Sequence, residues 1–185
     1  EVPGLLWGNK RKVIENFPSW PDPISLGTER NFIDNLSYFK RGGQCGIETK
    51  RGCHRNCIYC ADPLAKGTKL RLRNPSEVVD EIKSLLKQGV DVLHICDSEF
   101  NLSYSHSLDI CKEINRRSLG EKVKWYTYMS PAPFDAELAR QMAQAGCVGV
   151  DFTGDSANES MLRTYNQKHR KENISESVKL CQENG

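Results

Sequence analysis

The spacing of hydrophobic and polar positions changes near residue 46. Before it, four prolines and scattered aromatic residues leave no sustained helical or strand period, which predicts a linker or wrapping segment over residues 1–45. After it, short apolar runs alternate with amphipathic runs of helical spacing. This alternation is typical of repeated strand–helix units around a parallel sheet. We therefore predict an α/β fold for residues 46–185.

Four strand–helix units are predicted in that region. The first helix is well delimited, because Asn74 can cap it, Pro75 suits its first position and Gly89 ends it. Four units cannot close a barrel, so the sequence predicts the N-terminal part of a partial parallel (β/α) barrel with an open sheet edge. We expect the chain to be cut from a longer protein that supplies the missing strands. The predicted strands span residues 46–50, 90–96, 123–129 and 147–153, and the predicted helices span 75–88, 104–118, 134–145 and 171–182, with a short helical stretch after 156.

The predicted strands carry polar as well as apolar residues, whereas the strands of ordinary parallel sheets are apolar on both faces. If Leu93 and Ile95 face the helices, alternation turns His94 and Cys96 to the opposite face. A polar inner face indicates a barrel lumen that holds a ligand. The alternative is that some of these strands are edge strands with one solvent-exposed face. In the fourth strand, the same alternation separates Val148, Val150 and Phe152 from Gly149, Asp151 and Thr153.

The charge and the length of the apolar runs restrict the class of partner. Lysine and arginine total 26 against 24 acidic residues, a net charge of +2, which gives no electrostatic case for nucleic acid or an anionic membrane surface. No apolar run approaches the roughly 20 residues that span a bilayer, and the N-terminus lacks a signal-peptide core. We therefore expect a cytoplasmic protein that acts on a small molecule or a peptide.

The eight cysteines are unevenly distributed. Cys53, Cys57 and Cys60 form a C-x3-C-x2-C motif directly after the first predicted strand, while the other five are scattered. Three thiolates on so short a loop can hold three corners of an iron–sulfur cube, whose full protein ligation takes four cysteines. One iron then stays open, as one position does in catalytic zinc sites. The motif therefore predicts a [4Fe-4S] cluster with one vacant coordination site.

Two other ligand sets fit the same three cysteines. A zinc site could take His54 or Cys45 as a fourth ligand, although the usual pair of C-x2-C half-sites is absent from the sequence. A closed four-cysteine cluster could be completed by Cys45 or Cys96. Either alternative describes a noncatalytic iron–sulfur or zinc-binding module that serves assembly or electron transfer.

Polar residues follow the predicted strands at their carboxyl ends, where barrel enzymes hold their chemistry. These side chains can form hydrogen bonds with a bound cofactor, or they can cap the helices that follow. The candidates are Asp97, Ser98 and Glu99 after the second strand, Ser130 after the third, and Asp151, Asp155 and Ser156 at the end of the fourth.

The segment 51–60, with the aromatic Tyr59 directly before the last cysteine, resembles the cluster motif of the radical S-adenosylmethionine (radical SAM) superfamily. The resemblance implies that the amino and carboxylate groups of S-adenosylmethionine chelate the open iron. It also implies that one electron, from a donor such as flavodoxin or ferredoxin, breaks the sulfonium bond and gives a 5′-deoxyadenosyl radical. Tyr59 and the acceptors Asp97 and Glu99 are then expected to contact the cofactor, with Asp97 and Ser98 standing where the family has glycines.

Residues 38–63, 97–101 and 151–156 are similar to a subgroup of that superfamily in which a cobalamin-binding domain precedes the barrel. Many members of the subgroup are methyltransferases that act on unactivated carbon or phosphorus. The resemblance implies a cobalamin-dependent methyltransferase, with the cobalamin domain and further barrel strands elsewhere in the parent chain. One departure is His54, which replaces a proline often found after the first cysteine.

Overall fold

The structure is a computed structural model that describes residues 30–185 and, before them, the backbone of two short strands. Leu6–Asn9 (β1) and Lys12–Glu15 (β2) pair antiparallel as a hairpin. The other residues of the predicted linker that precede residue 30 lie outside the described part of the chain. Within the described part, none of the helices has the length and apolar character that a membrane span requires.

A short helix, Asn35–Lys40 (α1), begins where the Asp34 carboxylate accepts a hydrogen bond from the Ser37 backbone N–H at 2.8 Å. Asn35 is buried, and its side-chain amide donates to the side-chain oxygen of Gln88 at 2.9 Å. The hydrophobic pattern predicts no regular element before residue 46. Each of β1, β2 and α1 is only four to six residues long, which is too short to show a hydrophobic period.

The first strand of the main sheet, Cys45–Ile47 (β3), is shorter than predicted. After it the chain leaves the sheet and forms a two-stranded antiparallel ribbon from Lys50–Arg51 (β4) and Arg71–Leu72 (β5). The cysteine loop and a five-residue helix, Asp62–Lys66 (α2), lie between these two strands. The ribbon therefore closes the base of the cysteine loop. The sequence pattern instead predicts that the loop follows directly on the first strand of the main sheet.

Three further strands complete the main sheet: Val92–Ile95 (β6), Lys124–Met129 (β7) and Cys147–Phe152 (β8). The strand order is β3-β6-β7-β8, and all three pairings are parallel. Strands that follow one another in the sheet order also follow one another along the chain, as expected for successive strand–helix units. The predicted partial parallel (β/α) barrel is thus confirmed.

The helices that connect these strands pack against one face of the sheet and bury a continuous apolar core. The first of them begins as predicted, because the Asn74 side chain accepts from the Ser76 backbone N–H at 2.9 Å. A short 3₁₀ turn, Phe100–Leu102, precedes the second. The connecting helices are Pro75–Lys87 (α3), Tyr104–Arg116 (α4) and Ala136–Gln144 (α5). Two further helices, Glu159–Thr164 (α6) and Lys171–Glu183 (α7), follow the last strand.

The last strand departs from the predicted alternation at one residue. Cys147 pairs with Trp125, but Gly149 pairs with the residue directly after Trp125, so Val148 is an extra residue in β8. This β-bulge leaves Val148 57% exposed, while Cys147 packs against the core. The prediction that Val148 lies on the core face is therefore wrong, since a bulge shifts the period of two by one residue. The apolar residues after the bulge keep their predicted side.

Candidate metal centre

The cysteine loop leaves β4 through a position that requires glycine. Gly52 has φ +102°, and a Cβ built there would lie 2.1 Å from the Lys69 carbonyl oxygen. Beside it, the Cys53 backbone N–H donates to the Gly67 carbonyl at 3.0 Å. The loop is thus in direct backbone contact with the segment that returns to β5, and this contact fixes the position of the first cysteine.

Gly52→Ala is expected to lower the iron content of the protein after anaerobic reconstitution, because the added methyl group displaces the loop that carries Cys53. Gly42→Ala is the matched control: Gly42 also has a positive φ, +84°, but nothing lies within 4 Å of a Cβ built there. Both substitutions carry the left-handed backbone cost of about 1–2 kcal/mol, so the steric clash alone distinguishes them. Equal iron and sulfide contents of the two variants would contradict the prediction.

Cys53, Cys57 and Cys60 line one cleft, with about 480 Å³ of empty space that is partly open to solvent. Their exposure increases along the loop, from the buried Cys53 to the exposed Cys60. Burial, as the largest cause, raises the pKa of Cys53 and of Cys57, and the negative charge of Glu99 raises both further. These two thiols are therefore protonated near neutral pH, and a bound metal must displace their protons.

Two of the three sulfurs receive a hydrogen bond from the nearby backbone. The Asp62 N–H donates to Cys60 Sγ, with nitrogen and sulfur 3.4 Å apart. The backbone N–H of Arg55 bonds to the Cys53 sulfur and lowers its pKa, although burial is the larger effect and raises it. Such donors favour the thiolate form that a metal requires.

Gln167 supplies the donor for the third sulfur. Its Nε2 lies 3.5 Å from Cys57 Sγ and 2.7 Å from the Tyr59 hydroxyl oxygen, and it also donates to the Asp155 carboxylate. The Tyr59 hydroxyl in turn donates to that carboxylate at 2.7 Å. Tyr59 and Asp155 were both predicted as cofactor contacts. The structure joins them to the cysteine loop through a residue that the sequence analysis did not select.

The three cysteines line one cleft, but in the described structure they do not converge on a single point. Among the residues described, no three His, Cys, Asp or Glu side chains form a group that could hold one metal ion. In an iron–sulfur cube each thiolate binds a different iron, so the three sulfurs stand farther apart than the ligands of one tetrahedral zinc. The arrangement therefore favours the cube over the zinc alternative.

The fourth ligands of the two alternatives lie away from the cleft. Cys45 is 2% exposed in the core, and its thiol contacts the Asn35 carbonyl oxygen at 3.9 Å. Cys96 Sγ is 3.4 Å from the Ile47 carbonyl oxygen, and burial raises the pKa of this thiol to about 11. In the described part of the chain, the cleft is lined by neither of these cysteines nor by His54. It offers three cysteine ligands and no fourth.

A carboxylate and a guanidinium lie side by side in the wall of the same cleft. Glu99 Oε1 accepts from the Thr153 hydroxyl at 2.6 Å, which holds the carboxylate from the end of β8. Glu99 Oε2 and Arg55 Nε are 3.9 Å apart, and both atoms are buried without a hydrogen-bond partner in the described structure. The other end of the guanidinium donates to the Ala132 carbonyl at 3.2 Å. The two atoms form a long ion pair with each other, and each keeps free hydrogen-bonding capacity for a ligand that carries both an ammonium and a carboxylate.

Asp97 does not line the cleft. Its buried carboxylate accepts from the backbone N–H and the hydroxyl of Thr49, at 2.8 and 2.6 Å, and from Lys50 Nζ at 2.6 Å. Lys50 Nζ also donates to the Phe100 carbonyl at 2.6 Å. Because the protein itself occupies these oxygens, Asp97 has a different task from the predicted cofactor contact. It ties the strand that leads into the cysteine loop to the turn that carries Glu99.

Ser98 and Asp62 form a second polar group in the cleft wall. The Ser98 hydroxyl donates to the Asp62 carboxylate at 2.5 Å, and Lys66 Nζ donates to the same carboxylate at 3.0 Å. Burial alone would raise the pKa of Asp62, but the bonds from Ser98 and Lys66 outweigh it and leave that pKa lowered. Asp62 therefore stays ionised beside the third cysteine.

The remaining predicted residues lie outside the cleft lining in the described structure. Ser130 is buried, and its hydroxyl is 3.5 Å from the Arg55 guanidinium, at the limit of a hydrogen bond. Asp151 is exposed on β8. Ser156 lies in the turn before α6, and the helix is capped by the Asn158 side chain, so Ser156 is not its cap.

Four polar residues of the cleft lining were not selected from the sequence: Arg55, Asp62, Thr153 and Gln167. Arg55 lies inside the cysteine motif and Asp62 directly follows it, so their positions were a usable signal. Thr153 ends the fourth predicted strand, and only its polar character distinguishes it. Gln167 is 110 residues from Cys57 along the chain, and no local pattern marks it.

The inner face of the sheet carries a group of aromatic side chains. His94 stacks on Tyr126 with ring centroids 4.7 Å apart, and Tyr128 meets His94 edge-on at 5.2 Å. His94 Nε2 is buried without a partner, and burial lowers the pKa of this imidazole. A neutral imidazole beside two phenol rings can contact a flat ligand by stacking and by a hydrogen bond.

Comparisons with known proteins agree with this fold. The family model described as the radical SAM superfamily matches residues 47–185. The tryptophan 2-C-methyltransferase of Streptomyces laurentii is 43% identical over 136 residues, which are 70% of this chain and 23% of that protein. The structure of TsrM, a radical S-adenosylmethionine methyltransferase from Kitasatospora setae with cobalamin and [4Fe-4S] cluster bound, has a TM-score of 0.85 and 31% identity and covers 99% of this chain. A TsrM structure with tryptophan substrate and the SAM analogue aza-SAM has the same TM-score at 33% identity and 99% coverage of this chain.

The fold and the site define a class of protein, a parallel (β/α) barrel domain with a three-cysteine loop beside the carboxyl ends of its strands. The chain belongs to the radical SAM superfamily. It spans 23% of the length of the S. laurentii relative and 39% of the TsrM chain in either structure.

Proposed function

We propose that this chain provides the part of a radical SAM enzyme that holds a [4Fe-4S] cluster through Cys53, Cys57 and Cys60, with S-adenosylmethionine at the open iron. Residues 46–185 would form the N-terminal part of the barrel, and residues 1–45 a linker or wrapping segment. One observation carries the proposal. The described cleft brings three cysteines together with a buried carboxylate and guanidinium whose facing atoms, Glu99 Oε2 and Arg55 Nε, are 3.9 Å apart and make no hydrogen bond.

A [4Fe-4S] cluster with an open iron supplies a chelation site for the methionine group of S-adenosylmethionine and the electron that breaks its sulfonium bond to give a 5′-deoxyadenosyl radical. The residues of this chain bind and orient the reactants. Glu99, held by the Thr153 hydroxyl, accepts a hydrogen bond from the cofactor ammonium. Arg55 donates to the cofactor carboxylate from a side chain fixed by the Ala132 carbonyl. The lowered dielectric of the partly buried cleft strengthens both contacts.

The proposed reaction of the whole enzyme is a cobalamin-dependent methyl transfer to a ring carbon of a small aromatic amino acid. TsrM is solved with cobalamin and with tryptophan, and the S. laurentii relative bears the name tryptophan 2-C-methyltransferase. On this chain, the rings of His94, Tyr126 and Tyr128 offer a surface to a flat substrate. Asp151, which pairs with Tyr128 in the register of β7 and β8, offers a carboxylate to an ammonium. A low-potential donor such as flavodoxin or ferredoxin would supply the electron.

Electron paramagnetic resonance of the anaerobically reconstituted, dithionite-reduced protein tests the proposal. We expect the cluster spectrum to change when S-adenosylmethionine is added, because the ligand chelates the open iron. An unchanged spectrum would mean that the fourth vertex is already closed. In the full-length protein, mass spectrometry of 5′-deoxyadenosine, S-adenosylhomocysteine and methylated tryptophan then separates cofactor cleavage from methyl transfer and tests the substrate.

A further inference from the structure

The turn that follows α6 contacts the cysteine loop at successive residues. The Ile58 backbone N–H donates to the Tyr165 carbonyl at 3.4 Å. The next residue of the turn, Asn166, donates from its side-chain amide to the Asn56 carbonyl at 3.2 Å, two residues before Ile58 in the loop. These bonds join two segments that are more than 100 residues apart in the sequence. They hold the middle of the loop, between the first and the third cysteine.

Side chains extend the same contact. The rings of Tyr59 and Tyr165 meet edge-on, with their centroids 5.6 Å apart. Gln167 reaches Cys57 Sγ at 3.5 Å. Every residue of the loop from 56 to 59 is therefore touched by residues 165–167, which we call the clamp.

The clamp is fixed to the core through α6. The Gln167 backbone N–H donates to the carbonyl of Leu162 at 2.9 Å, and the Leu162 side chain is 1% exposed. Asn166 has φ +61°, a left-handed conformation that asparagine adopts more readily than most residues. This turn ends the helix and directs the next side chain towards the loop. The donor on Gln167 is therefore held in place before any cluster binds.

The orientation of the Gln167 amide is set by its other partner. The Asp155 carboxylate can only accept hydrogen bonds, so the amide must turn its N–H₂ and not its oxygen towards that side. The same nitrogen faces Cys57 Sγ. The contact with the sulfur is therefore N–H···S, through the hydrogen that the amide shares between Cys57 Sγ and the Tyr59 hydroxyl oxygen. A flipped amide would place its oxygen against a carboxylate.

We propose that the clamp positions the cysteine loop and that Gln167 raises the reduction potential of the cluster by donating an N–H to the Cys57 sulfur. This inference rests on the proposed [4Fe-4S] function. Reduction adds one negative charge to the cluster and its thiolates, and a donor stabilises the more negative state more strongly. The Cys60 sulfur receives its bond from the Asp62 backbone N–H, which no side-chain substitution removes. Gln167 is the side-chain donor that the described structure offers for adjustment of the potential.

Gln167→Met tests the inference in the reconstituted protein, because methionine has a similar length but no N–H. A dithionite titration followed by electron paramagnetic resonance gives the midpoint potential of the one-electron couple. We expect a more negative midpoint, with about threefold to tenfold less reduced cluster at a fixed solution potential; a tenfold change corresponds to about 59 mV. Asn166→Gly is the matched control, since glycine keeps the left-handed backbone and removes only the amide that holds Asn56. It should loosen the loop and lower cluster retention without moving the midpoint.

The results distinguish an effect on the reduction potential of the cluster from a purely structural role in holding the loop. A Gln167→Met midpoint equal to that of the parent overturns the proposal, and so does an equal shift in Asn166→Gly. If Gln167→Met loads no cluster, Gln167→Lys is measured instead, because lysine restores N–H donors at the same place. A midpoint potential of Gln167→Lys above that of the parent protein supports the proposal. A midpoint at or below that of the parent contradicts it. Failure of the proposed function would look different, because the parent protein itself would then bind no cluster or show no response to S-adenosylmethionine.

Discussion

Replacement of Cys53, Cys57 or Cys60 by alanine, one at a time, is expected to abolish the [4Fe-4S] cluster. A cube takes up to four cysteine ligands, and two remaining thiolates leave half of its irons without protein. In the described structure, the cleft has no other cysteine that could replace the lost one. Iron and acid-labile sulfide should fall to background after anaerobic reconstitution, and the signal of the reduced protein in electron paramagnetic resonance should disappear.

Two other cysteines are matched controls for the loss of a thiol. Cys45 is buried in the core, Cys181 lies on α7, and neither of them lines the cleft. Cys45→Ala and Cys181→Ala should both keep the iron content of the parent. Loss of the cluster in Cys45→Ala would support the closed four-cysteine alternative and would end the proposal of an open iron.

Removal of one partner of the Lys50–Asp97 pair is expected to destabilise the protein by about 3–5 kcal/mol. The two side chains are 1% and 0% exposed, and Lys50 Nζ is 2.6 Å from Asp97 Oδ2. In Asp97→Ala, the buried ammonium keeps only the Phe100 carbonyl. In Lys50→Met, the carboxylate keeps its bonds from Thr49 but loses its counter-charge. Urea unfolding followed by circular dichroism measures the change in the free energy of unfolding.

A double variant distinguishes an unpaired charge from a simple loss of packing. Lys50→Met combined with Asp97→Leu buries no charge, so it should recover part of the stability that each single variant loses. The recovery is incomplete, because the Thr49 N–H and hydroxyl lose their acceptor. Lys179→Met is the control, since the pair Lys179–Glu183 is 75% and 55% exposed and should contribute little. Single variants that lose less than about 1 kcal/mol would contradict the expectation for a buried pair.

The sheet and its long helices were predictable because each shows its period over enough residues. The helix α3 is an example: its cap at Asn74 and its apolar stripe are local features, and the structure has both. The pattern fails where an element is very short, as with the ribbon of β4 and β5, which has two residues in each strand. It also fails where one residue is inserted, because the bulge at Val148 leaves the composition of β8 unchanged while shifting its faces.

The same distinction applies to the site, where some residues are marked by a local sequence signal and others are not. That the three cysteines and Glu99 lie in one cleft was predictable, because their signal lies within a few residues of the motif or the strand end. Their roles as ligands of a cluster and a cofactor stay predictions. Asp97 stands at the same strand end, yet its carboxylate faces the core. This orientation depends on Lys50, which is 47 residues away in the sequence. Gln167 reaches Cys57 over 110 residues, and Thr153 reaches Glu99 over 54. Hydrogen bonds of this range follow from the packed fold and not from any local pattern.

The strand β8 has a paired neighbour on one side only within the described structure. Its outer edge presents backbone donors and acceptors in a row, next to a shallow apolar groove between α5 and α7 whose walls include Met142, Val150 and Cys181. A polypeptide of these residues prepared by itself would thus expose an unpaired strand edge directly beside an apolar groove. Copies of it should associate edge to edge and precipitate as the concentration rises. Samples for spectroscopy are therefore best kept dilute or prepared from a longer polypeptide that covers this strand.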